Sequence, residues 1–432
     1  METQTDGRVA MAGVGGPQRV PGEGLDAASV VAAATAIGPH IVRTPMDRSE
    51  PLSELAGCDV YLKLESLQRT GSFKIRGALN RLLAMSPAER AQGVITASAG
   101  NHGQGVAYAA RLVGIPVCVV LPTSVPLAKL TAIQRTGAEV VIEGSDYDTS
   151  HRIALDLVKV RGGTYVHAFD DPHVIAGQGT VALEMLEAEP RLDVIVVPVG
   201  GGGLLAGTVL ALSGRARKPM VIGAQSRGAS AFAESFLAGR VVERPAATIA
   251  DGVAVRLPSA RTLALARGAV SEIRTVTDEN IAGAIVLLLE RHKLLAEGAG
   301  AAALAAVLDD NGSLRGKRVG VIISGGNVDP NLLGKVLQTG LAAAGRYLAF
   351  RMWLDDKPGQ LADLTRILAD EHINILHVGI HRLGPYTSLG RVGLDVIVDT
   401  RDRGHADAVL ALVRARGFVA EELDTSPDSR EA

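Results

Sequence analysis

The sequence predicts an α/β protein built on open parallel sheets, followed by a smaller βαββαβ unit, and three observations carry that expectation. Short β-branched runs alternate with helical patterns from about residue 26 to 330. A different, period-two pattern begins at Tyr347. Glycine reaches 50 residues while aromatic residues make up only 3% of the chain, a composition suited to aliphatic cores and tight, ligand-facing turns.

Taken in order, the first 25 residues are rich in Gly and Pro and lack the basic-then-apolar order of a signal peptide, so residues 1–25 are expected to form a disordered tail. The runs Val94-Ile95-Thr96, Val117 to Leu121, Val140-Val141-Ile142, Val194 to Val197 and Val319 to Ile323 have no polar alternation. Such runs mark strands buried on both faces of a parallel sheet, whose carboxyl ends hold ligands. Helical patterns lie between them, at 103–112, 128–136 and 281–295, the last with Ile281, Ala284, Ile285, Leu288 and Leu289 on one face. The alternation implies βαβ crossovers and a first unit over 26–330.

Residues 331–346 read as a connecting helix. A strand from Tyr347, a helix over 360–370, strands near 375–382 and 392–399, a helix over 405–416 and a strand from Phe418 then give a ferredoxin-like order over 347–425. Residues 426–432 are polar and expected to be disordered.

Composition excludes several classes. With 44 basic against 46 acidic residues, a net charge of −2 and no long basic run, nothing suggests a nucleic-acid face. No apolar run reaches the length of a membrane span. Cys58 and Cys118 stand apart in apolar segments, which fits a reducing compartment, so a cytoplasmic protein is expected.

Chemistry concentrates in four motifs. Lys74 stands in Gly71-Ser72-Phe73-Lys74-Ile75-Arg76-Gly77, where small neighbours allow a ligand close approach. Burial would lower the pKa of its amine and make it a nucleophile toward a carbonyl, although taken alone it reads first as a solvated helix residue. Ser98 to Gly105 lies between a strand and a helix, where amides can receive a carboxylate and Asn101 offers both a donor and an acceptor; by itself the loop reads first as a helix start capped by Ser98 and Asn101. Gly200-Gly201-Gly202-Gly203-Leu204 follows a strand and allows several amides to converge on one phosphate. It also matches a dinucleotide fingerprint, but the acid that should hold a ribose about 20 residues on is missing, because Val221 to Ser226 carries no carboxylate. A monophosphate is therefore preferred, and a nicotinamide oxidoreductase is disfavoured. Ser324-Gly325-Gly326-Asn327 ends a strand at the same sheet edge, and Ser324 can hydrogen-bond a ring nitrogen without protonating it, or simply form a turn.

A Schiff-base lysine, an anion loop, a monophosphate nest and a ring-nitrogen partner together specify pyridoxal 5'-phosphate. Ser72 to Ala78, Ser98 to Gly105, Gly200 to Leu204, Ala250-Asp251-Gly252-Val253 and Ser324 to Asn327 occur in one order. On them, residues 26–330 resemble the fold-type II (tryptophan synthase β-like) pyridoxal-phosphate enzymes, with two open parallel-sheet subdomains, and within them the threonine dehydratases and their serine racemase relatives.

The resemblance implies that Lys74 carries the cofactor and moves the substrate Cα proton. It places the phosphate on Gly200, Gly201, Gly202, Gly203 and Leu204, the ring hydroxyl on Asn101, the ring nitrogen on Ser324 and Phe73 beside the ring. The substrate carboxylate falls to Ser98, Gly100, Asn101 and His102. The implied reaction turns L-threonine into 2-oxobutanoate and ammonia, and L-serine into pyruvate. Neighbouring possibilities are a serine-preferring ammonia-lyase, a serine racemase or a β-replacement enzyme; a catalytically silent amino-acid sensor is disfavoured by the intact Lys74.

In racemases of this family a serine on the opposite ring face returns a proton to Cα, whereas the position beside Ser98 is Ala99, which has none to give. Gln225 aligns where racemases with a divalent site carry a glutamate, so no side-chain metal site is expected, and a monovalent cation held by backbone carbonyls stays open. His377 and His381 fall on a strand, where four residues span about 13 Å, and are not expected to share a metal. Asp170-Asp171-Pro172 reads as a helix cap. Glu297 belongs to the family pattern, by the cofactor or at a helix end.

The unit at 347–425 resembles an ACT domain, the amino-acid-sensing βαββαβ module, on Asp355-x-x-Pro358-Gly359-x-Leu361. The resemblance implies an effector carboxylate at the Gly359 and Gln360 amides, with isoleucine or another branched-chain amino acid as effector. It also implies a role in isoleucine biosynthesis, with threonine breakdown left open, and a homodimer or homotetramer, since such domains pair across subunits; the alternative is a unit that only dimerises.

Overall fold

A computed structural model describes residues 24–381 and 390–423, so the expected tail at 1–25, apart from Gly24 and Leu25, and that at 426–432 lie outside the described residues. The strands, in chain order, are β1 Met46–Ser49, β2 Asp59–Leu64, β3 Val94–Ala97, β4 Val117–Leu121, β5 Glu139–Ile142, β6 Thr164–Tyr165, β7 Val194–Pro198, β8 Met220–Ser226, β9 Glu272–Val276, β10 Arg318–Ile323, β11 Tyr347–Asp355, β12 Ile375–His381, β13 Arg391–Asp399 and β14 Val419–Glu422.

They form three sheets. The largest has the order β1-β2-β10-β7-β8-β9 and is parallel except for the β1–β2 pair. A second, all-parallel sheet runs β5-β4-β3-β6. Both faces of the large sheet are covered, which explains the unbroken apolar runs. On one face Val194, Val196, Val319 and Val321 pack with Ala302 and Leu304 of the helix Gly298–Leu308. On the other, Ile195, Val197 and Ile322 pack with Val181 and Met185 of the helix Pro172–Ala188 and Leu205 of the helix Gly203–Leu212.

Three helices carry the centre of the molecule, and glycines set their spacing. A Cβ on Gly177, in Pro172–Ala188, would lie 2.5 Å from the Arg76 carbonyl of the helix Lys74–Leu83; one on Gly179 would lie 2.5 Å from the Gly207 carbonyl of Gly203–Leu212. The Pro172–Ala188 helix is thus held against both the lysine helix and the helix that follows the four glycines.

The expected helix over 281–295 differs. The α-helix runs Asp278–Leu287 and ends in a π turn, Leu288–His292, with Lys293 at φ 59°. The chain turns there, and Glu297 arrives beside Gly325, whose carbonyl accepts from the Glu297 amide at 3.1 Å.

The helix Pro330–Ala343 leads to the third sheet, with the antiparallel order β12-β13-β11-β14. Leu348, Phe350, Met352 and Leu354 point to one face, where Leu364, Leu368, Val409 and Val413 of its two helices cover them, so the period-two pattern of β11 is that of a sheet covered on one side. Cys58 and Cys118 are buried and free, and burial pushes both thiols up to about 11. No helix among the described residues is long and apolar enough to cross a membrane.

Candidate active site

Lys74 opens the helix Lys74–Leu83, and the loop before it is pinned to the end of β10. The Phe73 amide donates to the Ser324 carbonyl at 3.1 Å, the Gly326 amide to the Gly71 carbonyl at 2.9 Å, and Ser72 bridges Gly325. Gly71 has φ +69°, and a Cβ there would land on the Asn327 side chain. Two motifs distant in sequence are therefore one structural unit.

The Lys74 Nζ donates to the Ala168 carbonyl at 3.0 Å and lies 5.3 Å from the Phe73 ring centre. Burial lowers its pKa to about 8, partly opposed by the negative charge of Glu297. A usable share of free amine therefore exists near neutral pH.

A cavity of about 760 Å³ opens around this amine, lined by elements of both parallel sheets. It brings together Phe73, Lys74, Ser98, Ala99, Gly100, Asn101, His102, the run Gly200 to Leu204, Glu297, Ser324 and Asn327. Gly359 and Gln360 lie elsewhere, at the start of the helix Gln360–Asp370.

The four glycines are required by shape. Gly202 has φ +86°, a Cβ on it would strike the Phe232 ring, and one on Gly201 would strike the Phe169 ring. Gly203 begins a ten-residue helix whose first amides have no intrahelical acceptors, so the loop is a cradle for an anion that side chains would fill. Gly201→Ala is expected to weaken the binding of an anionic ligand at this loop by at least about tenfold, read by titration, because the methyl must displace Phe169 or the loop.

At the second loop the capping account does not hold. The helix Asn101–Val113 is capped by Gly100 with no side-chain bond, and Ser98 Oγ accepts from the Gly100 amide at 3.2 Å. Asn101 instead faces the cavity: its Nδ2 donates to Glu297 Oε1 at 2.5 Å, and its Oδ1 accepts from Asn327 Nδ2 at 2.8 Å. Asn327 also donates to the Thr70 carbonyl at 2.7 Å, which ties this network to the lysine loop. The first intrahelical amide bond is Gln104 to Gly100, so the Asn101, His102 and Gly103 amides precede it. His102 offers the site its amide rather than its ring, because its Nε2 meets the Val166 carbonyl at 2.9 Å.

Glu297 is the residue that sequence reasoning left undecided. It is buried, and burial raises its pKa to about 7, with Asp251 adding in the same direction and the Asn101 hydrogen bond opposing. Its side chain does not cap the helix that follows. Gln178, which the sequence reading did not select, also lines the cavity. Ser324 Oγ donates to the Ala299 carbonyl at 3.2 Å. Asp171, by contrast, caps its helix through the Val174 amide, and Asp170 pairs with Arg261. The carboxamide of the buried Gln225 accepts from the Ala233 amide through Oε1. Among the described residues no group of three or more His, Cys, Asp or Glu side chains is placed to hold a metal.

Burial also depresses two histidines of this wall, His102 to about 3 and His167 to about 4. Depressed folded-state values mean that the unfolded chain binds more protons below pH 6.5, so their stability is full above 6.5 and is lost as pH falls toward 3 or 4. Glu297 acts oppositely between its ordinary value of 4.5 and about 7. The balance of two histidines against one carboxyl leaves a loss of about 1.4 kcal/mol per pH unit between pH 6.5 and 4.5. Calorimetry should show the melting temperature falling on acidification through this range, with the fall flattened in His102→Gln and steepened in Glu297→Gln.

Comparison with known proteins identifies the family. Residues 37–325 match the pyridoxal-phosphate dependent enzyme family, and residues 349–417 match the ACT domain. The chain belongs to the pyridoxal-phosphate-dependent enzymes. It is 42% identical to the L-threonine ammonia-lyase of Thermotoga maritima over 379 residues, which is 87% of this chain and 94% of that protein. It is also 42% identical to the catabolic L-threonine dehydratase TdcB of Staphylococcus aureus over 317 residues, 72% of this chain and 92% of that one. Among solved structures, the processed form of threonine deaminase isoform 2 from Solanum lycopersicum superposes with a TM-score of 0.70 at 33% identity, covering 75% of this chain and 98% of that one. Maize serine racemase gives 0.69 at 32%, covering 74% and 98%. For a pyridoxal-phosphate enzyme the cavity fits its cofactor: a buried amine of lowered pKa, a glycine cradle shaped for an anion, and a hydroxyl at Ser324 on the sheet edge.

Proposed function

We propose that the protein is an L-threonine ammonia-lyase that converts L-threonine to 2-oxobutanoate and ammonia, and L-serine to pyruvate and ammonia, under amino-acid control through its ACT domain. The observation that carries this reading is one cavity holding the buried Lys74 amine and the Gly200 to Leu204 cradle in a chain 42% identical to such an enzyme over most of its length. Residues 26–330 are assigned to catalysis, 331–346 to the linker and 347–425 to regulation.

Pyridoxal phosphate, when bound, supplies a carbonyl for the substrate amine and a conjugated ring that accepts negative charge from Cα. Gly200, Gly201, Gly202, Gly203 and Leu204 would hold its phosphate, Asn101 its ring hydroxyl, Ser324 its ring nitrogen, and Phe73 would lie beside the ring. A serine hydroxyl is far too weak an acid to protonate that nitrogen, so Ser324 would hydrogen-bond the ring without adding a positive charge to it. Lys74, as free amine, removes the Cα proton. Ser98, Gly100, Asn101 and His102 would hold the substrate carboxylate, the last two through helix-start amides. Ala99 lines the same cavity and has no proton to return to Cα, which favours elimination over racemisation.

Borohydride reduction of the holoenzyme followed by peptide mapping tests the assignment. The cofactor should be fixed on the peptide that contains Lys74; fixation on another lysine, or none, refutes it.

The regulatory reading rests on the ACT unit, where Gln360 lines a second cavity of about 560 Å³ together with Trp353, Arg366, Arg391 and Arg416. The arginines suit a carboxylate and Asp355, Asp363 and Asp370 of the same cavity suit an ammonium group, as a zwitterionic amino acid requires, and Gly359 precedes the adjoining helix in a left-handed conformation, φ +101°. Isoleucine or another branched-chain amino acid is the proposed effector, and a homodimer or homotetramer the proposed assembly. Removing residues 347–432 should leave threonine turnover within about threefold and abolish its response to L-isoleucine, since the match to the enzyme family lies within residues 37–325. A truncated enzyme that still responds would move the effector site to the catalytic unit.

A further inference from the structure

The helix Pro172–Ala188 is apolar through its middle, Val174-Ile175-Ala176 and Val181-Ala182-Leu183, except at Gly177-Gln178-Gly179-Thr180. The two glycines are explained by helix packing, and Thr180 Oγ1 donates to the Gly177 carbonyl at 2.7 Å and accepts from Arg76 at 3.1 Å. Gln178 is not explained by packing. Its side chain is fully buried, yet neither its Oε1 nor its Nε2 has a hydrogen-bond partner. An unsatisfied buried carboxamide is destabilising, so an apolar side chain of the same length would be more stable if nothing else called for an amide here.

Its position shows what calls for it. Gln178 lines the active-site cavity. Its Oε1 lies 2.7 Å from where a Cβ on Gly203 would stand, and its Cγ 3.1 Å from where one on Gly77 would stand. The amide head therefore meets the start of the Gly203–Leu212 helix, while its stem packs against the lysine helix. With no hydrogen bond on either atom, nothing fixes which end of the carboxamide is the nitrogen, and an anion at the helix start would select the orientation that presents Nε2.

We propose that Gln178 is a side-chain ligand of the cofactor phosphate, donating from Nε2 beside the backbone amides of Gly200 to Leu204. This rests on the pyridoxal-phosphate reading given above. It makes the Pro172–Ala188 helix a direct link between the phosphate cradle and the helix that starts at Lys74.

The test compares pyridoxal 5'-phosphate with pyridoxal, which lacks the phosphate, by titrating apoprotein and following the cofactor absorbance. Wild type should prefer the phosphorylated form. Gln178→Leu should weaken pyridoxal phosphate by roughly tenfold or more, the value of a hydrogen bond to a charged group, while leaving pyridoxal within about twofold. Gln178→Glu, which sets a carboxylate against the phosphate, should weaken it further and again spare pyridoxal. Melting is recorded first, and Gln178→Met replaces Gln178→Leu if the latter does not fold. Equal losses for the two ligands, or unchanged affinity for the phosphorylated one, overturn the assignment of Gln178 alone. A wild type that binds neither ligand overturns the cofactor reading and this assignment with it.

Discussion

Lys74→Ala should lower threonine turnover by at least about four orders of magnitude while leaving the protein folded. The residue combines two roles, attachment of the cofactor and removal of the Cα proton, and a positioned base alone contributes on the order of 10²–10⁴. The fold should survive because the Nζ makes a single hydrogen bond, to the Ala168 carbonyl, and the residue begins a helix, where alanine is a good former. The variant should also lose the absorbance band near the visible edge that marks the cofactor joined to lysine. Added amines of small size should restore part of the rate, because the missing group is an amine in a cavity. A variant that keeps both band and turnover would remove Lys74 from the chemistry.

Arg76→Met should destabilise the catalytic unit by about 3–5 kcal/mol, the range found when one partner of a buried ion pair is removed. Arg76 is fully buried two residues after Lys74, and all five of its donors are used. Its Nε and Nη2 donate to the two oxygens of Glu65 at 2.7 and 2.8 Å, its Nη1 and Nη2 to those of Glu184 at 2.7 and 2.9 Å, and Nη1 also to Thr180 at 3.1 Å. Lys63 completes the group, with Nζ 2.6 Å from both Glu184 Oε2 and the Thr44 carbonyl. Two cations and two carboxylates balance; without Arg76 the buried group carries an uncompensated negative charge. The melting temperature of the catalytic unit should fall by roughly 10 °C. Arg76→Lys should recover little of this, because an ammonium cannot serve two carboxylates with a planar fork. A loss below about 1 kcal/mol would mean that water or rearrangement replaces the arginine.

These two residues stand two positions apart in one legible motif, yet only the first is readable as chemistry. Lys74 could be read because an amine among glycines has a specific use and its partners are backbone loops with their own signatures. The ion group could not, because its members Lys63, Glu65, Arg76 and Glu184 come from a strand, a turn and two helices, and charged residues at these spacings resemble surface ones. Lys63 even lies inside β2, a strand whose mixed sequence hid it.

The same contrast runs through the fold. β7 and β10 were legible because both faces of the sheet are buried, which forces continuous apolar runs. β6 has two residues and β9 alternates charged and apolar side chains at the sheet edge, so neither stood out. The helix over 281–295 was read too long because the pattern of Leu288 and Leu289 continues through a π turn that redirects the chain. Asn101 looked like a cap because its type and place suit one; the acceptor and donor that claim it, Glu297 and Asn327, are about 200 residues away. Gln178 had a faint signal, a polar residue between two glycines in an apolar helix, whose meaning depends on which helices pack against it.

The most direct measurement is the product formed from L-threonine by the purified protein supplied with pyridoxal phosphate. The expected result is 2-oxobutanoate and ammonia in equal amounts, with the substrate's stereochemistry retained in whatever remains unreacted, and no product from Lys74→Ala. Formation of D-allothreonine in preference to the oxo acid, or no turnover by protein that shows the cofactor band, would contradict it.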